Sequence, residues 1–584
     1  MNSAPNPTTI GRVRHVLGPL VTVELEAELA GVTPIWRGRL VPIGQIGSLV
    51  RIPQGPVSLV GSVTLVGIAE LTAPTAPSAI PQQGDRWLQV QLLGEVDALG
   101  KFRRGVSTYP GLDDSVHFAT AGDLAAAYPV QDSNHVAIGF LASSPDVEVT
   151  LNLATFVTRH SAIVGSTGSG KTSAVSATLQ SIVAGGWSNA NVIVVDPHGE
   201  YGSALNRDAA VRSVLGNGNS ALRVPYWALP AGDLLSVLSG VDTRTAADKF
   251  RDLVLKARRD FAVKADWLNL SPEDITPDTP IPYNIRTVWH EYDFANRAVV
   301  DTKASGLPCV EDAGDSAKLL PARFTPYGPG GAAPFKGTTY GLYTPAPERI
   351  HLRLRDPRFA FFLDVPDPNE EDPLATIVAE WLGERQAISV LDFSGVPAEV
   401  ADVTIGIVLD TLFELSVRSA TGDGIGRDRP VLIVLEEAHR YLGDSNTTGL
   451  ARTAVNRIAR EGRKYGIGVC LVSQRPSELP ETALSQCGTI VALRLTNAAD
   501  QATVRNALPD AIAGLTSVLP SLRTGEALIS GEAVLLPTRA TLRRPNPEPQ
   551  GSDPSLASWR SAPPGKASLR QAIRAWRGMI EGSP

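Results

Sequence analysis

Residues Gly165 to Thr172 read GSTGSGKT, the pattern GxxxxGK[ST] without substitution. Glycines at this spacing let the backbone curl until its N–H groups point inward, and a helix beginning there adds its positive dipole end. Such a cradle of Gly165, Ser166, Thr167, Gly168, Ser169, Gly170, Lys171, Thr172 and Ser173 suits the phosphates of a nucleotide triphosphate. Lys171 is placed to reach the β- and γ-phosphates, and the Thr172 hydroxyl to ligate Mg²⁺. By composition alone the string arises in about a few per cent of chains this long, so its surroundings decide. Ala162-Ile163-Val164 reads as an apolar strand before it, Ser173 to Ala184 as a helix after it, and Val192 to Val195 as a second buried strand. That is a βαβ unit with the loop at its turn; the plain alternative is a glycine turn joining strand and helix. ATP and Mg²⁺ are the expected cofactors.

A second apolar run, Val431 to Leu435, ends in Glu436 and Glu437, followed by Ala438-His439. In an NTPase this strand is expected beside the P-loop strand, its first acid holding hydrated Mg²⁺ and its second polarising the attacking water. The first acid is usually aspartate; Glu436 is one methylene longer. Glu437 is the candidate general base. Asp196 ends the strand after the P-loop helix, ahead of Pro197-His198-Gly199-Glu200. It suits either a carboxylate near the phosphates or a Pro/Gly turn, and the sequence does not choose.

Strand Gly468 to Val472 ends in Ser473-Gln474-Arg475-Pro476. A carboxamide at that tip can orient water beside the γ-phosphate; surface hydrogen bonding is the alternative. The helix ahead of it, Ala451 to Gly466, puts Arg457, Arg460 and Lys464 on one face, with Arg463 nearby. Most such stripes are solvated. In a ring ATPase, an arginine from such a region can enter the neighbour's site.

The elements that must position these residues fall into blocks. At 584 residues the chain should hold about three or four domains. Short β-type runs (Leu20 to Leu25, Ser58 to Val66, Trp87 to Leu92) predict a small barrel or sandwich over residues 1–136. A RecA-like α/β core with a parallel sheet is expected over 137–228 and 374–537. Its second part alternates helices (Leu374 to Glu384, Val400 to Val417, Gly449 to Tyr465) with strands, the last being Thr489 to Leu493. The stretch 229–373 between them is too long for a connection and reads as a partly helical insertion. It begins with a helix over Ala246 to Phe261 and ends in an alternating strand over Ile350 to Arg355. Residues 538–584 form a basic tail with a helix from Ser568 to Ile580; it can touch nucleic acid or dock on acidic protein surface.

Composition narrows little. A net charge of −7 argues weakly against a protein that coats nucleic acid but permits a basic channel, because such fields are local. The widely spaced Cys309, Cys470 and Cys487, and a start (MNSAPNPTTI) without a basic and apolar leader, fit a cytoplasmic, non-membrane protein. His198 and His439 lack a matching ligand cluster, so no structural metal is expected.

Taken in order, GSTGSGKT, VDPHGEY, SVLDFSGVP, LEEAH, REGRKYG and LVSQRP resemble the HerA family of hexameric DNA translocases, in the same branch of ATPases as FtsK. The resemblance covers most of the chain except the insertion and the tail, and the β-rich start resembles the barrel ahead of the ATPase in that family. It implies a homo-oligomeric ring that hydrolyses ATP to draw duplex DNA through a central channel. It implies a separate partner: a NurA-type nuclease in DNA-end processing, or a nuclease or SIR2-like effector in phage defence. It marks Arg159 and Arg463, with Arg460 as the alternate, as arginines acting at subunit interfaces, and Gln474 as the sensor. A nucleotide-dependent scaffold that assembles and switches an effector enzyme is the second reading, and a VirB4-type secretion ATPase a weaker third.

Overall fold

The computed structural model describes residues 8–26, 35–36, 39–40, 45–68, 86–130, 132–216, 218–241, 243–303, 306–363, 371–419, 424–443, 449–550, 559–560 and 565–577. In the N-terminal part, alternation along the strands does what it predicts. Leu20–Leu25 buries every second residue, and antiparallel pairing runs through Thr9–Leu17, Ser115–Phe118, Leu49–Gln54, Val57–Ile68 and Arg86–Val96 back to Leu20–Leu25. Six strands thereby close a barrel, which removes the sheet edges. Its interior is filled by Ile10, Val13, Val21, Val23, Val50, Ile52, Leu59, Val63, Leu88 and Val90. Arg104 ties the barrel to the next domain by donating to the Leu535 carbonyl at 3.0 Å.

The core is one eleven-stranded sheet. Its strands are β1 (His135–Leu141), β2 (Ser144–Asn152), β3 (Ser161–Val164), β4 (Asn191–Asp196), β5 (Ala209–Ser213), β6 (Ile388–Asp392), β7 (Val431–Leu435), β8 (Ile467–Ser473), β9 (Thr489–Ala492), β10 (Glu526–Gly531) and β11 (Thr538–Leu542). They lie in the order β2-β1-β11-β10-β9-β3-β8-β7-β4-β6-β5. From β9 to β5 neighbours are parallel; from β9 back to β2 they are antiparallel. The RecA-like parallel core is therefore extended into a mixed sheet.

Three expectations change here. β8 lies between β3 and β7, so the strand bearing the two glutamates is not beside the P-loop strand. Local sequence fixes each strand but not the order of parallel crossovers, and β8 happens to insert. Thr538–Leu542 is a strand of this sheet rather than the start of the tail; its Thr538, Ala540 and Leu542 are buried. Ile350 to Arg355 is helical, within Ala346–Arg355. The alternation there also satisfies a helix: Ile350 and Leu354, one turn apart, are buried while Leu352 is 69% exposed.

The parallel strands are apolar on both faces, as burial between helical layers requires. One face, with Val192, Val194, Leu432 and Val434, packs on α1 (Lys171–Ala184) through Val175, Leu179 and Ile182. The other, with Ile193, Val195, Ile433 and Leu435, meets α2 (Ala398–Arg418) and α3 (Leu450–Tyr465). α3 buries Ala451, Ala454, Val455, Ile458, Ala459 and Gly462, an i, i+3, i+4, i+7 stripe. Gly462 is held to glycine by close approach: a Cβ there would lie 2.4 Å from the Ile467 carbonyl oxygen. The insertion extends the same apolar layer with Phe250, Trp289 and Tyr292. Its helix Arg244–Ala262 buries Arg258, which donates to the Trp227 carbonyl at 3.0 Å. The helix in the tail is Lys566–Trp576; Gly578–Ile580 lie outside the described residues. Among the described residues, no helix is long and apolar enough to cross a membrane.

Candidate functional site

Three neighbouring parallel strands, β3, β8 and β7, deliver the predicted residues at their carboxyl ends. After β3 the chain turns through Gly168 (φ 72°) and Gly170 (φ 96°) into α1; both are backbone states that favour glycine. Gly165 is needed for another reason: a Cβ there would stand 2.5 Å from Ser169 Oγ. The loop is clamped on both sides, Gly165 N–H donating to the Ser473 carbonyl and Ser166 N–H to that of Arg494. Lys171 begins α1 and is 8% exposed, and Ser173 sits in the same first turn. The Thr172 hydroxyl donates to Glu200 Oε2 at 3.0 Å.

Glu436 is 2% exposed and accepts from the Tyr201 hydroxyl. Burial, foremost, raises its pKa to about 8; the Tyr201 hydrogen bond and the Lys171 ammonium oppose that shift, and Glu437 adds to it. The Glu436 carboxyl group and the Thr172 hydroxyl offer hard oxygen donors, the kind Mg²⁺ takes. Glu437 stands at φ 46°, a strained state for a non-glycine residue of the kind that collects at functional sites. Its Oε2 is 3.3 Å from His439 Nδ1.

Gln474 meets the P-loop directly, accepting from the Thr167 hydroxyl at 2.7 Å. Asp196 takes the turn role: its buried carboxylate accepts from the N–H groups of His198, Gly199 and Tyr201. Burial raises its pKa despite those bonds. Glu200, four residues on, is the acid that reaches Thr172.

The arginines lie elsewhere. Arg159 caps the short helix Leu153–Thr158, just before β3, and pairs with Glu532. Arg460 and Arg463 are exposed near the end of α3, which turns at Gly466 into the amino end of β8. Gln474 follows the far end of that seven-residue strand, about 20 Å away at roughly 3.3 Å per residue. None of the three is brought to its own subunit's P-loop. Arg457 leaves the predicted stripe altogether, pairing with Asp410 at 3.1 Å and with Glu414 on α2.

Against known families, the model described as "Helicase HerA, central domain" matches residues 136–412, and "Helicase HerA-like C-terminal" matches 382–535. The chain belongs to the HerA family. Relatives of this HerA chain include a probable helicase, MJECL08, of Methanocaldococcus jannaschii, 23% identical over 431 residues, 73% of this chain and 74% of that one. The DNA double-strand break repair helicase HerA of Pyrococcus furiosus is 26% identical over 470 residues, 74% of this chain and 72% of its own. That of Sulfolobus acidocaldarius is 35% identical over 177 residues, 30% of this chain and 35% of its own. Among solved structures, VirB4 of Thermoanaerobacter pseudethanolicus is similar at 13% identity and a TM-score of 0.44, over 70% of this chain and 97% of that one.

Residues that motif reading passed over also stand at this site. Glu200 and Tyr201 stand inside VDPHGEY, and His439 inside LEEAH, so adjacency to an acid was their available signal. Arg494 and Thr524 had none. Both donate to the Gly168 carbonyl, at 3.3 and 3.2 Å, from segments 326 and 356 residues away in sequence.

Proposed function

We propose that this chain is the motor subunit of a ring-shaped DNA translocase, binding ATP with Mg²⁺ and coupling its hydrolysis to movement of duplex DNA. The observation that carries the reading is the meeting of P-loop, paired glutamates and Gln474 at the carboxyl ends of three adjacent strands. Thr167 bonds Gln474, and the Lys171 ammonium acts electrostatically on Glu436, favouring its charged form. In this reading the P-loop N–H groups and Lys171 hold the phosphates, and Glu437 polarises the attacking water. Gln474 reports the γ-phosphate to the P-loop through Thr167. Thr172 and Glu436 are the residues that would hold Mg²⁺, whose bound charge neutralises the β- and γ-oxygens. Arg463, Arg460 and Arg159 act on a neighbouring subunit's site in a head-to-tail ring, with six subunits the expected number.

The printed names of several relatives, repair helicases for double-strand breaks, support DNA as the track and DNA-end processing as the setting. A separate nuclease or other effector then acts on the DNA the ring delivers. The test is ATP hydrolysis by the purified protein with and without linear duplex DNA, beside Glu437→Gln. Stimulation by DNA, lost by about 10²- to 10⁴-fold in the variant, is expected. Hydrolysis indifferent to DNA, with effector activity surviving in Glu437→Gln, would replace the motor by a nucleotide-dependent scaffold.

A further inference from the structure

Glu437 and Gln474 sit on different strands, yet one side chain bridges the segments that carry them. β7 and β8 run parallel with Leu435 opposite Leu471, so Glu437 and Ser473, each two residues further on, leave the sheet side by side. The turn after β7 is fastened across the gap, Ala438 N–H donating to the Val472 carbonyl at 2.9 Å. His439 then projects its Nδ1 between the two strand ends. That nitrogen is 3.2 Å from Ser473 Oγ and 3.3 Å from Glu437 Oε2. The His439 and Glu437 side chains are only 9% and 13% exposed, so water competes little for these contacts.

A neutral imidazole protonated on Nδ1 has one hydrogen there and two oxygens to give it to. Angles decide the present allocation. Nδ1 and Ser473 Oγ are at hydrogen-bonding geometry, while Glu437 Oε2 is buried without a hydrogen-bond partner among the described residues. An unsatisfied buried carboxylate oxygen is costly and is therefore poised to take either the imidazole proton or a water. Ser473 is also fixed from the other side, its Oγ accepting from Arg475 N–H at 3.0 Å. The next residue along, Gln474, is the one bonded to Thr167 of the P-loop.

We infer that His439 is the positioning residue for Glu437: seated on Ser473, the neighbour of Gln474, its imidazole holds the Glu437 carboxylate where that group can orient water. The inference rests on Glu437 being the general base. Ser473 holds the imidazole through Nδ1, and the same edge of the ring, 3.3 Å from Glu437 Oε2, keeps that carboxylate turned to the water.

The test is steady-state ATP hydrolysis by the full-length protein with linear duplex DNA, comparing His439→Ala, His439→Asn and Glu437→Gln. Thermal melting checks that each variant folds. His439→Ala should lower kcat about 10²-fold, the scale of a misplaced catalytic group, with the KM for ATP unchanged. His439→Asn, whose side-chain amide can stand at the position of Nδ1, should restore most of that loss. In the Glu437→Gln background, His439→Ala should add roughly nothing, because groups acting as one unit are non-additive. Full turnover in His439→Ala, a loss confined to KM, or no recovery in His439→Asn would each overturn the inference. A normally active Glu437→Gln would instead remove the base assignment, whereas an inactive Glu437→Gln beside a fully active His439→Ala removes only the role of His439.

Discussion

The two ends of the parallel sheet are built differently. At the carboxyl ends, side chains are buried and turned on one another: Thr167 on Gln474, Thr172 on Glu200, Tyr201 on Glu436. At the amino ends the charges are exposed. Arg460 and Arg463 are exposed and, among the described residues, their side chains make no ion pair or hydrogen bond; the Arg159 side chain is 35% exposed on its pair with Glu532. One end carries the P-loop with its buried Lys171, and the other carries exposed arginines. Under the proposed function these two surfaces would meet head to tail, the contact that generates rings when its rotation closes.

The largest effect should come from breaking the complement. Arg463→Ala should leave ATP affinity unchanged, measured by titration of a fluorescent nucleotide, and lower kcat about 10³- to 10⁵-fold. Mixing that variant with Lys171→Ala subunits makes the comparison sharper. Neither variant alone should turn over, but a mixed ring places an intact Arg463 against an intact P-loop and should regain hydrolysis. Normal turnover by Arg463→Ala, or a mixture as inactive as its parts, would put the two ends of the sheet out of contact.

At the carboxyl end the corresponding change is Gln474→Ala. If Gln474 stands beside the γ-phosphate as proposed, its loss should cost about 10²- to 10³-fold in kcat, with little change in ATP binding. No mixing experiment should rescue it, because Gln474 meets Thr167 of its own subunit. Rescue by mixing would show that the residue works in trans.

How much of this was readable in the sequence divides along the same line. Everything whose meaning is local was legible: the P-loop and its helix, the strand ending at Leu435, the stripe of α3 from Ala451 to Gly462. Their strings carry both the geometry and the chemistry within a few residues. What joins distant segments was not. Tyr201 reaches Glu436 across 235 residues, and β8 enters between β3 and β7 by a crossover that no single strand encodes. Asp196 and Glu200 share one turn, and only packing shows which of them the backbone uses up. The helix at Ile350 was misread because a six-residue alternation fits both periods, and the burial of Leu354 against the insertion's core decides.

A stability test bears on the amino end without touching chemistry. Gly468 opens β8 against the helix that Arg159 caps, and a Cβ there would fall 1.7 Å from the Val157 carbonyl oxygen. Backbone cannot give way as a flexible side chain does. Gly468→Ala should therefore destabilise by about 1–3 kcal/mol or more in denaturant titrations. It should also shift Arg159, so turnover should fall further than the loss of folded protein explains. A variant as stable as the native chain would mean that this helix is not held where it stands.

The smallest effect tests whether position on α3, rather than charge, is what matters. Arg457 precedes Arg463 by six residues on the same helix, but it is spent inside the subunit. Its guanidinium pairs with Asp410 and Glu414 and lies 4.3 Å from the centre of the Phe413 ring. These side chains are 31–50% exposed, so water screens the pairs, and Arg457→Ala should cost only about 0.5–1 kcal/mol of stability. Its kcat should stay within about twofold of native, since an arginine bound to α2 has no guanidinium left to offer a neighbouring subunit. A loss of turnover in Arg457→Ala comparable to that in Arg463→Ala would mean that the whole basic face of α3 acts together. The distinction between paired and unpaired arginines would then no longer separate structure from chemistry on this helix.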